Sequence, residues 1–518
     1  MTDATADWNH WLIPQVIQER AQSCPDKKFV SIIGGDALTY RELHEAGQRV
    51  ATFLAASGVV PGDRLIVMLP TCLEFLYAWA GIGRLGAVMV ALNPELSGAF
   101  LAHQINDADS RLIIAHSDFI PEIEAQLGSY ETTIVSCGGS GANGFEGWRE
   151  YVPYAGDWPR PSDIACIMYT SGTTGPAKGV LMPHAHCYLF GLGTVDNLSL
   201  EADDHYYVTL PLFHANGLFM QLGAVLIAGA TASIRTRFSA SNWISDIRQT
   251  GATITNMLGA TSEFISVQPS RSDDRDHRLR LIASAPNQPD HERMWRDRFG
   301  VADVIGLYGM TEVNIPLYTE QGCSRPGTCG RVYEPYFEVD VRNPTTDEPI
   351  KAGEVGEILV RPCVPFGFMA GYHNSPAKTV EAWRNLWFHT GDAGTMDVDG
   401  YVTFVDRIKD CIRRRGENIS SFEVEAAIGS LDGVKEVAAF AVPSEIDGGE
   451  DEIMIAYSGD AAPEPLEIAL EAQRILPRYA WPRFFERFDE LPKTSTGKIR
   501  KDALRAKGVS AMTTDTAS

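Results

Sequence analysis

Apolar and polar positions along the first third of the chain follow two distinct periods. From 38 to 58, "LTYRELHEAGQRVATFLAASG" sets its apolar residues at helical spacing and stops at Gly58, which predicts a helix closed by a glycine. "DRLIVMLP" (63–70) is a short apolar run that reads as a buried strand. "EFLYAWAGIGRLGAVMVALNP" (74–94) reads as a second helix feeding a strand, and "RLIIAHS" (111–117) as another strand. The alternation returns at 204–214, across 229–258 and at 279–286. Strands separated by helices predict a largely parallel sheet covered on both faces.

The texture changes beyond about residue 330. "FEVDVRNPTTDEPIKAGEVGEILVRP" (337–362) reads as short strands joined by turns, and "GYVTFVDRIKD" (400–410) as the second arm of a hairpin. From 411 onward a separate small set follows, with helices at 420–431 and 465–476 and strands at 434–443 and 451–459. A chain of 518 residues is too long for one hydrophobic core. The expectation is therefore an α/β protein with a large N-terminal domain, 1–408, of mostly parallel sheets flanked by helices, carrying a small β-rich subdomain. A small mobile α+β C-terminal domain, 409–508, and a disordered tail, 509–518, complete it.

Composition narrows the function classes. With 44% hydrophobic and 21% charged residues the chain is ordinary for a soluble enzyme. A net charge of -23 argues against nucleic acid as a partner. The apolar stretches 75–92 and 218–234 are broken by Arg84, and by Gln221 and glycines, so both read as buried core and no membrane span is expected. "MTDATADWNHWLIPQ" lacks the basic and apolar regions of a signal peptide, and nine cysteines are dispersed with no CxxC pair. Both features predict a cytoplasmic protein with reduced thiols.

Candidate chemistry starts at "YTSGTTGPAKGV" (169–180), which follows the strand-like "DIACIMYT". Backbone N–H groups and hydroxyls at a strand's carboxyl end suit phosphate oxygens, and Lys178 adds a compact positive charge. The spacing is not that of a P-loop, because Lys178 follows Ala177 and precedes Gly179.

This loop resembles the signature of the adenylate-forming superfamily of acyl-CoA synthetases, luciferases and peptide-synthetase adenylation domains. "PLFHANG" (211–217), "YGMTE" (308–312), "WFHTGDAG" (387–394), "DRIKDCIRRRGENIS" (406–420) and "PKTSTGKIRK" (492–501) follow in the family's order. Phe213-His214-Ala215 stands where a peptide-synthetase domain carries an aspartate, and a following carrier domain is not expected. The chain is thus similar to the acyl-CoA ligase branch, and "LPLFHANGLFMQLGAVLIAGA" to the crotonobetaine/carnitine-CoA ligase group.

The resemblance implies ATP, Mg²⁺ and CoA as cofactors, a small carboxylic acid as substrate, and leaves room for a homodimer. It assigns Thr170, Ser171, Gly172, Thr173, Thr174, Gly175 and Lys178 to the β,γ-phosphates. Tyr308 would flank adenine, Thr311 bond the α-phosphate and Glu312 hold Mg²⁺, with Ala285 and Gly309 beside the nucleotide. Asp392 and Arg407 would bind ribose, and Lys498 would bridge the substrate carboxylate and the α-phosphate. Taken alone, Lys498 reads as surface charge and Glu312 as a solvated carboxylate. His214 would lie beside the acyl group, against the alternative of a satisfied core histidine. Gly416 would admit the pantetheine arm, and Lys409 would be the hinge of a domain rotation.

Two positions depart from the family pattern. The family loop usually reads glycine, any residue, proline, lysine, whereas here Pro176 and Ala177 are exchanged, and Ser421 stands where proline is common. The first change keeps a second expectation open: a degenerate relative that performs one half-reaction or binds acyl-adenylate without full turnover.

Overall fold

The computed structural model describes residues 8–127, 132–138, 144–170, 176–407, 411–414, 417–444, 451–459, 461–493 and 499–516. Helix Tyr40–Ala56 begins at a capping box in which Thr39 and Glu42 exchange hydrogen bonds, and it buries Leu43, Val50 and Leu54. Helix Leu73–Leu85 ends at Gly86 in the left-handed conformation. The two helices lie in close contact. A Cβ on Gly81 would fall 2.2 Å from Val50 Cγ1, so a glycine is required there.

Two large sheets form the N-terminal domain. One has seven strands, in the order Gly371–Tyr372, Lys178–Pro183, Ile164–Thr170, Val88–Ala91, Arg64–Met68, Leu112–His116 and Thr133–Cys137. Its last five strands are mutually parallel, as the alternation predicts, while Lys178–Pro183 runs antiparallel to Ile164–Thr170. The nine-stranded sheet has six parallel strands at its centre, including Ile254–Leu258, Leu281–Ala285 and Asp303–Met310. Two antiparallel strands, Asn314–Tyr318 and Arg331–Val332, extend it at one edge, and a third, Ala37–Thr39, at the other. Both apolar stretches first weighed as membrane spans are core, and no helix among the described residues is long and apolar enough to cross a membrane.

The expected β-rich subdomain is a four-stranded antiparallel sheet of Phe337–Arg342, Gly356–Pro362, Phe388–Met396 and Val402–Arg407. The smaller C-terminal domain has its own sheet, in the order Glu436–Val442, Glu452–Ser458, Phe484–Phe488 and Thr514–Asp515. The boundary expected at 408/409, Lys409 included, lies outside the described residues.

The expected disordered tail is a correction. Thr514–Asp515 pairs antiparallel with Phe484–Phe488, and Asp515 takes both Arg483 Nε (2.9 Å) and Nη2 (2.8 Å). A polar, threonine-rich terminus gave no periodic signal, but an edge strand needs only backbone partners and one ion pair to order it.

Gly81→Val should lower stability by about 2 kcal/mol or more, because neither Val50 nor the Ala51 backbone can retreat from the new methyls. Urea unfolding midpoints of the two proteins check this; an unchanged midpoint would mean that the helices separate freely.

Candidate active site

Strand Ile164–Thr170 ends where its antiparallel partner begins, with Thr170 opposite Lys178 in register. The glycine-rich connection is therefore a hairpin loop rather than a strand-to-helix turn. Its Ser171, Gly172, Thr173, Thr174 and Gly175 lie outside the described residues, as do Gly416 and Lys498. The flanks of the loop meet the second sheet at Glu312.

Glu312 follows strand Asp303–Met310 and is only 4% exposed. Its Oε1 accepts from Thr170 Oγ1 at 3.1 Å and from the Tyr372 hydroxyl at 3.0 Å. The Lys178 ammonium sits 4.1 Å from the centre of the Tyr372 ring, a cation–π contact. Thr170, Lys178 and Tyr372 come from three adjacent strands of the seven-stranded sheet, so one carboxylate joins both sheets. Glu312 Oε2 makes no hydrogen bond among the described residues.

Thr311 is fixed through its backbone. Its carbonyl lies 2.8 Å from Nε2 of His186, a fully buried ring on helix His184–Leu198. Burial pushes the His186 pKa down to about 4, so the ring is neutral and donates through Nε2. Asn314, at φ 70°, donates to the His186 carbonyl at 3.0 Å and holds the next turn. Gly309 is needed for packing, since a Cβ there would meet the Asn314 carbonyl oxygen at 2.3 Å.

Tyr308 and Asp392 are directly bonded, the phenol donating to Oδ2 at 2.7 Å. Phe404 stacks on Tyr308 with ring centres 6.4 Å apart. Asp392 is 4% exposed and faces Arg407 across the backbone ladder of the antiparallel sheet. Ala285 ends its strand opposite Leu258, one strand away from Tyr308.

On the acyl side, His214 precedes a π-helical segment, Asn216–Gly223, a geometry over-represented at functional sites. Asn216 Oδ1 accepts from Asn256 Nδ2 and from Gln221 Nε2, both at 2.9 Å. Phe219 is 1% exposed and packs on Trp79 inside the core. His214 Nε2 lies 3.1 Å from Oε1 of Glu417, on the C-terminal side of the 408/409 boundary. Burial opposes the charge on His214, but the Glu417 carboxylate outweighs it through charge and hydrogen bond and raises its pKa.

The sequence profile of the AMP-binding enzyme family matches residues 17–373, and that of the AMP-binding enzyme C-terminal domain matches 423–498. The chain belongs to the AMP-binding enzyme family. It is 33% identical over 476 residues to a feruloyl-CoA synthase of Amycolatopsis, covering 91% of this chain and 94% of that one. A crotonobetaine/carnitine–CoA ligase of Citrobacter koseri is 28% identical over 489 residues, covering 90% and 93%. Among solved structures, ATP-bound MatB of Rhodopseudomonas palustris aligns with a TM-score of 0.71 at 26% identity, covering 95% and 98%.

In this AMP-binding enzyme the structure brings together Thr170, Lys178, Thr311 and Glu312, and separately Tyr308, Asp392 and the Arg407 backbone. Sequence reasoning missed Tyr372 and His186. Tyr372 sits in no motif and reaches Glu312 only because its two-residue strand pairs with Lys178–Pro183. His186 lies on a mostly apolar helix, where its ring reads as core, and only the Thr311 contact reveals its role.

Glu417→Gln should lower the His214 pKa to its ordinary value or below, because the charge that raises it is gone and burial still disfavours the imidazolium. The protonated His214–Glu417 pair stabilises this arrangement below about pH 6.5 and loses that effect as pH rises through the raised pKa. NMR titration of the His214 ring reads both proteins, and an unmoved titration would show that Glu417 does not set it.

Proposed function

We propose that the protein is an AMP-forming acyl-CoA ligase: it joins a carboxylic acid to ATP as acyl-adenylate with release of pyrophosphate, then passes the acyl group to CoA. The observation that carries this reading is the Glu312 cluster, a buried carboxylate bonded to Thr170 and Tyr372 beside Lys178 at the exit of a threonine- and glycine-rich loop. A carboxylate approaching an α-phosphate needs charge neutralisation more than proton transfer, and cations with aligned donors supply it.

Each residue has a stated part. Lys178 and the Thr170 hydroxyl face the β,γ-phosphates, and Thr311, held by His186, faces the α-phosphate. Tyr308 flanks adenine, with Ala285 and Gly309 beside it, and Asp392 with Arg407 takes the ribose. Glu312 fits Mg²⁺, a hard cation that keeps phosphate and water ligands around one or two carboxylates, and its Oε2 is available for that bond. When bound, Mg²⁺ neutralises phosphate charge. Lys498 bridges the two reacting anions, His214 borders the acyl carboxylate, and Gly416 admits the thiol arm. Domain 409–508 rotates about Lys409 between the half-reactions, because Lys498 and the thiol approach the same carbonyl. The intact set Glu312, Asp392, Arg407 and Lys498 favours full turnover over a degenerate relative.

A panel of acids including ferulate and crotonobetaine, followed by pyrophosphate release and then by CoA-thioester detection, tests the reading. Pyrophosphate without thioester would favour the degenerate relative, and neither product would overturn ligase function. Lys498→Ala should slow adenylation by about 10²-fold or more while sparing thioester formation from supplied acyl-adenylate, since its charge acts only in the first transition state. Equal slowing of both steps would remove it from that role. Glu312→Gln should raise the magnesium concentration needed for adenylation while changing AMP binding far less, because AMP lacks the phosphates that share the metal. An unaltered magnesium titration would count against the assignment.

A further inference from the structure

The backbone of Ala177 is held from both sides. Its carbonyl oxygen lies 2.9 Å from His103 Nε2, on helix Gly98–Ala108. Its N–H donates to Oε1 of Glu423, in the first turn of the C-terminal helix Ser421–Gly429. That donor exists only because residue 177 is not proline, which has no N–H. The exchange of Pro176 and Ala177 thus places a backbone donor at the loop exit, immediately before Lys178. The same arrangement sets Glu417 on His214, so the Cys411–Arg414 and Glu417–Ser420 hairpin faces the acyl side.

We propose that Glu423 is a positioning residue for thioester formation, fastening the C-terminal domain to the Ala177 N–H while Glu417 meets His214. This rests on the acyl-CoA ligase reading. His103 holds the Ala177 carbonyl in the next peptide unit, so the residue is anchored on both sides of its Cα. Glu423 touches no reacting atom; it holds the small domain where the hairpin meets the acyl group.

The surroundings of Glu423 add an independent signature. Glu95, Glu417 and Glu423 all act on the buried Tyr479 phenol, so the region is rich in acids. Lys501 is engaged elsewhere, on Ser421 Oγ at 2.8 Å and on Glu425 at 2.5 Å. Lys178 and His103 flank Ala177. Burial pushes the Glu423 pKa up to about 7, with the Ala177 N–H pulling the other way. An acid raised from 4.5 to about 7 in the fastened arrangement binds its proton more tightly there, so fastening is favoured as pH falls and weakens as pH rises through about 7.

The test uses the full-length enzyme and an acid that supports pyrophosphate release. Glu423→Ala should slow thioester formation from supplied acyl-adenylate about tenfold or more and leave adenylation within about twofold, whereas Glu423→Gln, whose amide oxygen still accepts, should restore the thioester step. Ala177→Pro should slow the thioester step as Glu423→Ala does, and the double variant should lose no more than either single one. Between pH 6 and 8 the wild-type rate relative to Glu423→Gln should fall about tenfold, following the proton. Unaltered thioester formation in Glu423→Ala, equal slowing of both steps, an additive double variant or a flat ratio would each overturn the proposal. Amide hydrogen exchange at Ala177 reads the contact without turnover. Faster exchange in Glu423→Ala supports the contact even if no acid is activated, and wild-type exchange overturns it.

Discussion

A carboxylate taken almost wholly out of water has to find donors before the chain can close around it. Glu312 meets that demand with two hydroxyls brought from the opposite sheet, Thr170 and Tyr372. The arrangement of the N-terminal domain depends on this junction. Thr170 ends a strand, Tyr372 belongs to a two-residue strand paired to Lys178–Pro183, and Glu312 turns the corner between Asp303–Met310 and Asn314–Tyr318. Moving any of the three strands strands a buried charge. The site proposed for a polyphosphate is thus fixed by an interaction that needs no nucleotide present.

Local charge, not net charge, governs what the site can hold. The chain carries a formal charge of -23, which disfavours anions at long range, yet the loop exit offers Lys178 above an aromatic face and hydroxyl donors beside it. Screening at physiological ionic strength confines the general repulsion to about 8 Å, while contacts inside the cleft are screened far less. Donors of fixed direction therefore outweigh the acidic surface. His186 extends this logic by remaining neutral, so that its one N–H orients the Thr311 carbonyl without adding a buried charge.

Elements whose apolar period was strong were legible in the sequence. The helix of 38–58 appears as Tyr40–Ala56, "RLIIAHS" as Leu112–His116, and the 465–476 helix as Pro465–Ile475. The motifs that name Thr170, Lys178, Thr311 and Glu312 fall at or just beyond strand ends, and the structure brings these four residues together. Tyr372 and His186 could not be read, since their roles come from strand pairing and helix docking across long separations. Gly309 carried a nucleotide assignment for its place beside Tyr308, yet packing against Asn314 already demands a glycine there. The pairing of Thr514–Asp515 was hidden for a related reason: an edge strand of two residues has no periodicity to detect.

Both described side-chain contacts that the C-terminal domain makes at the site, Glu417 on His214 and Glu423 on the Ala177 N–H, are made by carboxylates, and they share a proton logic. Glu417 raises the pKa of His214, so that pairing takes up a proton at the imidazole. Burial raises the pKa of Glu423, so that contact takes up a proton at the acid. One group gains charge and the other loses it, yet each binds its proton more tightly when the domains meet, and linkage then requires the meeting to be favoured as pH falls. At Glu423 the Ala177 N–H pulls the pKa down, but desolvation outweighs it. The alanine at position 177 therefore decides whether the contact forms, while burial of Glu423 sets the direction in which it titrates.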